Sequence, residues 1–223
     1  MKNKLRKFFS LPRTITTKLT HIQEALGRIE KRQNENINSK KINDYEFKVF
    51  SQWGDDGIIQ HLVEKVDIEN DIFVEFGVEN YTESNTRFLL QNNNWRGLVL
   101  DGSEENISFI KNDPIYWKHN LKAEHAFVTV DNINDVISKN GINGDIGLLS
   151  IDIDGNDFWI WNAIDSISPR IVVCEYNSHF GDTLKVSIPY EPSFSRSVKH
   201  FSNIYYGTSI SALDFLANKK GYS

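Results

Sequence analysis

The sequence FVEFGVENYTESNTRFLL, residues 73–90, contains the change from strand to turn to helix that indicates the fold. It begins within an apolar run, Ile72–Phe76, continues through Gly77 and polar residues, and enters a helical pattern over Ser84–Asn92. Further apolar, β-branched runs follow at Gly97–Leu100, Ala126–Val130, Leu148–Ile151 and Ile171–Val173. Helical patterns separate most of them, over Glu104–Asn112, Ile133–Asn140 and Asp157–Asp165. Because strands separated by helices need crossover connections, the sequence predicts an α/β fold, a mostly parallel sheet with helices on both faces.

Charge is distributed unevenly along the 223 residues, although the net charge is only −5. Residues 1–41 hold eleven Lys and Arg against three Glu, a net of +8, so the remaining residues carry a net of −13. This change of sign predicts two parts: a basic amphipathic helical arm with a polar linker over residues 1–41, and a main domain over residues 42–223. The acidic main domain excludes a general nucleic-acid-binding protein.

Composition excludes several other classes of protein. Cys174 is the only cysteine, which excludes an intramolecular disulfide framework and cysteine-rich zinc sites and fits a reducing compartment. No apolar run reaches the ~18 residues of a membrane span, and no signal-peptide pattern follows the basic start. The sequence therefore predicts a cytoplasmic protein without a transmembrane segment.

The arm contains a heptad-like apolar stripe that predicts a helix from about Thr16 to Gln33. The spacing between successive members is 4, 3, 4 and 3, for Ile15, Leu19, Ile22, Leu26 and Ile29. Three interpretations remain open: the helix packs on its own domain, it forms a homodimer, or the N-terminal basic and aromatic residues contact an anionic membrane surface. The residues meant by the last interpretation are Lys4, Arg6, Lys7, Phe8 and Phe9.

Acidic residues lie at the end of every predicted strand, where ligands of open parallel sheets bind. Helix capping alone explains individual cases such as Asp131 and Asp157, but it explains the whole set less well. The five strand-end residues are Glu75, Asp101, Asp131, Asp152 and Glu175. The set indicates a ligand with positive charge.

Asp101 follows the second strand, 24 residues after Gly77, where a carboxylate in nucleotide-binding α/β folds accepts hydrogen bonds from ribose hydroxyls. The first loop, however, has no G-x-G-x-x-G pattern, and Glu75 and Glu79 would repel a pyrophosphate. A ligand with a ribose and a cationic end fits better, and S-adenosylmethionine has both.

At this point the sequence resembles the class I S-adenosylmethionine-dependent methyltransferases, specifically the FkbM-like group often found in polysaccharide and natural-product gene clusters. The resemblance covers Ser51 to Ser223 and rests on the order of six segments. These are SQWGDDGI (51–58), FVEFGVENYTESNTRFLL (73–90), WRGLVLDGS (95–103), LLSIDIDGNDFWIW (148–161), IVVCEYNSHFG (171–181) and YYGTSISAL (205–213). The first loop departs from the usual methyltransferase pattern because it lacks the second and third glycines. The resemblance implies a Rossmann-like sheet that ends in a β-hairpin, and we expect that hairpin to be missing, so that the domain is C-terminally incomplete.

The resemblance also implies a cofactor site. Residues around the methionine part would be Glu75, Gly77, Ser84 and Asn85. Asp101 would hold the ribose, with Gly102 and Ser103 near the adenine. Gln52 and Asp56 would belong to an N-terminal segment that closes over the cofactor; a turn with a capped helix explains that segment equally well.

Methyl transfer to a sugar hydroxyl needs a base within hydrogen-bond reach of the acceptor. The candidates are Asp152, Asp154, Glu175 and His179. A divalent metal is the alternative, held by two of Asp152, Asp154, Asp157 and Glu175, with Asp152 and Asp154 as the first candidates; an EF-hand loop is excluded because its twelfth position would be Ala163.

The aromatic segment after the fifth strand is where such enzymes place the acceptor. Candidate acceptor-binding residues are Asn177, Tyr190, Tyr205 and Tyr206. The predicted activity is O-methylation of a carbohydrate or nucleotide-sugar, a precursor of a surface or capsular polysaccharide. The alternatives are N-methylation, another small acceptor, or a non-catalytic nucleotide-binding module.

Overall fold

The computed structural model describes the backbone of residues 2–222 and the side chains of residues 15–222. The strands are β1 (Ile72–Phe76), β2 (Arg96–Asp101), β3 (Leu121–His125), β4 (Gly144–Ile151) and β5 (Ile167–Cys174). The helices are α1 (Lys2–Asn34), α2 (Asp55–Lys65), α3 (Glu104–Asn112), α4 (Pro114–Lys118), α5 (Ile133–Lys139), α6 (Asp157–Ala163), α7 (Arg196–Lys199) and α8 (Ile210–Lys219). None of the described helices is both long enough and apolar enough to cross a lipid bilayer.

The five strands form one parallel sheet in the order β3-β2-β1-β4-β5. Successive residues of β1 point to opposite faces: Val74 belongs to an apolar cluster with α5, α6 and α8, whereas Phe73 belongs to a second cluster with α2, α3 and α4. Both faces of the sheet are therefore covered by helices, and the predicted α/β, Rossmann-like architecture is confirmed. Connections run to opposite sides of β1, so the topological switch point lies between β1 and β4, where open α/β sheets bind ligands.

The third strand was predicted in the wrong place. The structure has Leu121–His125 as the strand, whereas the predicted run Ala126–Val130 is irregular chain. An edge strand needs few apolar residues, and only Leu121 and Ala123 of β3 are buried. In the predicted run, Val128 and Val130 pack on the core although they belong to no strand, so the apolar composition of the run resembled that of a strand. Asp131 is consequently not a strand-end residue, and its side chain is exposed.

The helix expected over Ser84–Asn92 also begins later than predicted. Residues 84–86 remain in a loop, and a π-helical turn occupies Leu89–Asn93. The physical reason is competition for hydrogen bonds, because the N–H and hydroxyl donors of residues 84–86 bind the buried Glu75 carboxylate and hold these residues in the loop.

Helix α1 packs on the main domain, but not through the apolar stripe read from the sequence. Gly27 faces the domain so closely that a Cβ there would lie 2.3 Å from Cγ2 of Val49. The stripe from Ile15 to Ile29 remains exposed to water. The basic and aromatic side chains proposed for membrane contact, from Lys4 to Phe9, lie outside the described side chains.

Candidate functional site

A cavity of about 440 Å³ opens at the carboxyl edge of the sheet, over the switch point between β1 and β4. Its walls are built by the loops that follow β1, β2, β3, β4 and β5, together with the segment before α7. Seven carboxylates and one cation, Arg196, are among its described lining residues. The carboxylates belong to Glu75, Glu79, Glu83, Asp101, Asp152, Asp154 and Glu175.

Gly77 allows β1 and β4 to approach each other at the floor of this cavity. Its φ is +71°, and a Cβ built on it would lie 1.7 Å from the carbonyl oxygen of Asp152. Any other residue would therefore have both the wrong backbone conformation and a clash with main chain. The single glycine of the first loop, which the sequence marks, serves this close approach.

Glu75 organises the loop above the cavity floor. Its carboxylate accepts five hydrogen bonds: from the Ser84 hydroxyl, the Asn85 N–H, the Thr86 N–H and hydroxyl, and the Ser150 hydroxyl. These donors fill the acceptor positions of a carboxylate, of which there are about four. Burial raises the pKa of Glu75, while these hydrogen bonds stabilise the charged form. Glu75 therefore shapes the loop and offers little to a ligand directly.

The same loop contains two residues in the left-handed backbone region, Glu79 with φ 47° and Tyr81 with φ 63°. For a bulky residue such as Tyr81 this conformation is strained and persists only where its surroundings fix it. The fully buried Tyr81 bonds through its hydroxyl to Thr86, and its carbonyl accepts a hydrogen bond of 2.6 Å from Arg87. The loop is thus held in one shape before any ligand arrives.

Asp101 ends β2 with a buried carboxylate that lines the cavity. Oδ1 accepts from the Ser103 N–H at 2.8 Å and from the Asn106 amide at 3.0 Å, and Oδ2 accepts from the Glu79 N–H at 2.8 Å. Three bonds fix the orientation of the group, and roughly one acceptor position of the carboxylate is left for a ligand.

Three further carboxylates meet where β4 and β5 end. One oxygen each of Asp152, Asp157 and Glu175 lies within 4.8 Å of the others. Burial, followed by the charge of Asp152, raises the pKa of Glu175 to about 9, so Glu175 is protonated at neutral pH. Burial and then Asp154 raise the pKa of Asp152, which is open to the cavity and hydrogen-bonded to Glu175. Together they hold one proton between two carboxyl groups at neutral pH.

Asp157 is the least available member of this group for a metal. It is fully buried, and its two oxygens accept the N–H groups of Ile153 and Gly155. Burial raises the pKa of Asp157 to about 7. Asp154, the other residue of the predicted metal pair, lies outside this group of three and forms an ion pair with Arg196 at 2.8 Å.

Arg196 crosses the mouth of the cavity and joins the segment after β5 to the loop after β4. Besides Asp154, it donates to the Asn203 carbonyl, and its guanidinium lies 3.6 Å from the centre of the Tyr206 ring. Phe194 packs over Gly155, where a Cβ would lie 2.3 Å from the ring. The mouth therefore combines a cation, a carboxylate and aromatic faces.

Ten of the sequence-predicted site residues line the cavity. They are Gln52, Glu75, Gly77, Ser84, Asn85, Asp101, Gly102, Asp152, Asp154 and Glu175. Asp56 and Ser103 do not line it. The Asp56 carboxylate is buried and accepts the N–H groups of residues 49–51, while Ser103 caps α3. Asp56 therefore fixes the turn before α2, whose N-cap residue, Gly54, makes no side-chain cap hydrogen bond.

The remaining predicted residues also lie outside the cavity lining. His179 is exposed on a short turn, and the buried Asn177 donates to the carbonyls of residues 204 and 206. The Tyr190 hydroxyl accepts a hydrogen bond from the Val130 N–H. Tyr205 is half-exposed and its ring lies beside that of Phe194. Tyr206 does not line the cavity, but its ring contacts Arg196, which does.

Sequence reasoning missed several lining residues. Phe127 and Val128 follow the true end of β3, and a correct strand boundary would have placed them at this edge. Asn156 and Phe194 come from irregular segments, and Arg196 begins the short helix α7. No sequence periodicity marks such residues, because only the tertiary course of the chain returns them to the sheet.

No protein-family model matches the chain, and no curated protein matches it. Among solved structures, the N-terminal domain of EvdMO1 with SAH bound is similar, with 13% identity, a TM-score of 0.48, and coverage of 87% of this chain and 86% of that chain. A S-adenosylmethionine-dependent methyltransferase from Clostridium acetobutylicum has 15% identity and a TM-score of 0.38, covering 79% of this chain and 65% of its own. Similarity at this level does not decide a function, which must be inferred from the site.

Proposed function

We propose that the chain is an S-adenosylmethionine-dependent methyltransferase. The observation that carries this proposal is the buried Asp101 carboxylate, fixed by three hydrogen bonds at the end of β2 and facing an acidic cavity at the switch point. A carboxylate at this position suits ribose hydroxyls. The surplus of carboxylates favours a ligand with cationic groups over a dinucleotide, whose pyrophosphate would be repelled.

The cavity walls suggest how such a ligand would be oriented. Gly102, Phe127 and Val128 form an apolar wall beside Asp101, which suits an adenine ring. On the other side, Asn85 and Gln52 offer polar groups for the methionine part. Glu75 acts here through the loop that it fixes, rather than by direct contact.

S-adenosylmethionine supplies a methyl group activated by an adjacent sulfonium. For a hydroxyl acceptor, we propose that Asp152 takes the acceptor proton while the oxygen attacks the methyl carbon. The C–O bond then forms as the C–S bond breaks, and S-adenosylhomocysteine leaves. Glu175, protonated at neutral pH, donates a hydrogen bond to Asp152 and keeps that carboxylate oriented. Should a divalent metal bind, Asp152 and Glu175 would hold it, because the oxygens of Asp157 are already occupied.

We propose a carbohydrate or nucleotide-sugar as the acceptor. A general base such as Asp152 is needed for a hydroxyl more than for an amine, which favours O-methylation over N-methylation. Arg196, Phe194 and Tyr206 at the mouth provide a cation and aromatic faces suited to a sugar with an anionic substituent. Such a precursor would be methylated in the cytoplasm, where Cys174 would remain a free thiol.

Calorimetric titration with S-adenosylhomocysteine tests the proposal. We expect saturable binding, weakened at least about tenfold by Asp101→Asn, since hydrogen bonds to charged groups contribute about 1.5–3 kcal/mol. Asp131→Asn is the matched control, because that aspartate is exposed and lies outside the cavity lining. Absence of binding at millimolar ligand would reject the methyltransferase and favour a module without catalysis. Unchanged affinity of a folded Asp101→Asn variant would reject the ribose assignment.

A further inference from the structure

Helix α1 carries two stripes of residues, each with spacings of 4, 3, 4 and 3. The inner stripe contacts the main domain and consists of Thr20, Glu24, Gly27, Lys31 and Asn34. The outer stripe consists of Ile15, Leu19, Ile22, Leu26 and Ile29, with exposed fractions of 49%, 60%, 56%, 55% and 48%. Five aliphatic side chains in one row therefore remain about half exposed.

The main domain cannot cover the outer stripe. At 3.6 residues per turn, the two stripes lie roughly 140° apart around the helix. The inner stripe is anchored by contacts that fix this rotation: Gln91 donates to Glu24 at 3.1 Å, Lys31 pairs with Glu64 at 2.5 Å, and Asn34 donates to the Tyr45 carbonyl. Turning the outer stripe inward would break all of these contacts.

We propose that the outer stripe binds the outer stripe of a second copy of this chain. A strict 3.5-residue spacing is the pattern of a coiled-coil seam, whose members insert between those of another helix of the same kind. Leucines occupy the a positions, 19 and 26, and isoleucines the d positions, 15, 22 and 29, a distribution that in parallel coiled coils favours assemblies of more than two copies. At the centre of the seam, the flanking residues are uncharged: Ala25 on one side, and on the other Gln23, whose amide donates to the Val49 carbonyl of the main domain. Like charges therefore do not oppose each other at the centre when copies approach.

A membrane surface is the less favoured occupant. The outer stripe lies on the arm of net charge +8, which anionic lipid would attract, but the main domain packed against that arm carries a net charge of −13 and would be repelled. The outer stripe contains no aromatic residue, whereas interfacial helices commonly use Trp or Phe. The polar face that such a helix keeps toward water is here packed on the domain through Gly27.

The size of the seam sets the strength of the association. Five residues from each copy are far fewer than the roughly 20–30 residues that each partner contributes to a standard interface. We therefore expect reversible, concentration-dependent self-association rather than a permanent assembly.

Sedimentation velocity of the full chain over about 1–500 µM tests the proposal. We expect the mass to rise from the 25.7 kDa of one chain with concentration, and the double variant Leu19→Asn/Leu26→Asn to weaken association at least tenfold. His21→Asn/Arg28→Asn is the matched control, since it adds two asparagines to exposed positions of the same helix outside the outer stripe. Circular dichroism checks that both variants keep the helix. A monomer at every concentration, or equal association of the two variants, would overturn the proposal.

Cross-linking gives a second test that does not depend on weakening the helix. In a Cys174→Ala background, Ile22→Cys should be joined between copies by a short bismaleimide linker, whereas His21→Cys, on another face, should not. Equal cross-linking of both cysteines would overturn the proposal. So would a chain that stays monomeric but cosediments with anionic vesicles through the outer stripe.

Discussion

Replacing Glu175 by glutamine should stabilise the protein at neutral pH by about 1–2 kcal/mol. Burial and the charge of Asp152 raise the pKa of Glu175 from 4.5 to about 9. Between these values the folded chain holds a proton that the unfolded chain has lost, so the free energy of unfolding falls as pH rises. At pH 7 only the part of the shift between pH 4.5 and pH 7 counts, 2.5 pH units, which amounts to about 3.4 kcal/mol at about 1.36 kcal/mol per pH unit. We expect roughly half of this because the carboxyl group faces cavity water and shares its proton with Asp152.

The assay is thermal unfolding of the wild type and Glu175→Gln at pH 4.5, 7 and 8.5. Glutamine is neutral throughout and still donates to Asp152, so the stability difference between the variants should be near zero at pH 4.5 and grow with pH. A gain of 1–2 kcal/mol corresponds to a rise in Tm of about 2–8 °C for a chain of this length. Glu124→Gln, an exposed position on β3, controls for loss of a negative charge. A stability difference independent of pH would refute the reasoning.

Three other outcomes follow from the site. In denaturant unfolding, Gly77→Ala should lower the free energy of unfolding by about 2 kcal/mol or more, because the added Cβ would clash with main chain. Gly181 also has a positive φ but lies in open space, so Gly181→Ala should lower it by only about 1 kcal/mol. Asp152→Asn should lower the rate of single-turnover methyl transfer by about 10²–10⁴-fold and change the affinity for S-adenosylhomocysteine by less than threefold. If the variant lost rate and affinity by the same factor, Asp152 would not be the general base. Exhaustive chelation of divalent metals should leave methyl transfer unchanged. The oxygens of Asp157 are occupied by backbone N–H groups and Glu175 is protonated, so neither is free to bind a metal. Turnover that is lost on chelation and restored by Mg²⁺ would contradict this expectation.

The order of strands and helices was predictable from local sequence. Buried parallel strands form apolar runs, and β1 was placed at its observed limits, Ile72–Phe76, while β2, β4 and β5 were found with shorter limits. The edge strand β3 was misplaced because only Leu121 and Ala123 are buried, which leaves little apolar signal. Periodicity reports burial, so it fails where a strand is only partly covered.

The gathering of acidic residues at one edge was also predictable, since every parallel strand ends on the same side. The role of each acid was not. Glu75 and Asp101 are both buried at strand ends, yet the first is surrounded by five donors and the second keeps an acceptor position toward the cavity. That difference depends on where the loop 81–86 folds back, which no local pattern encodes.

The sequence by itself determined the α/β class, the carboxyl-edge position of the site and the helical arm, because these depend on residue periodicity and strand direction. Only the tertiary structure decided which carboxyl groups share a proton, because the pKa of Glu175 depends on burial beside Asp152, 23 residues away in sequence. The tertiary structure likewise decided which stripe of α1 faces the domain. Gly27 permits the closest approach of the helix, so the more apolar stripe remains in water.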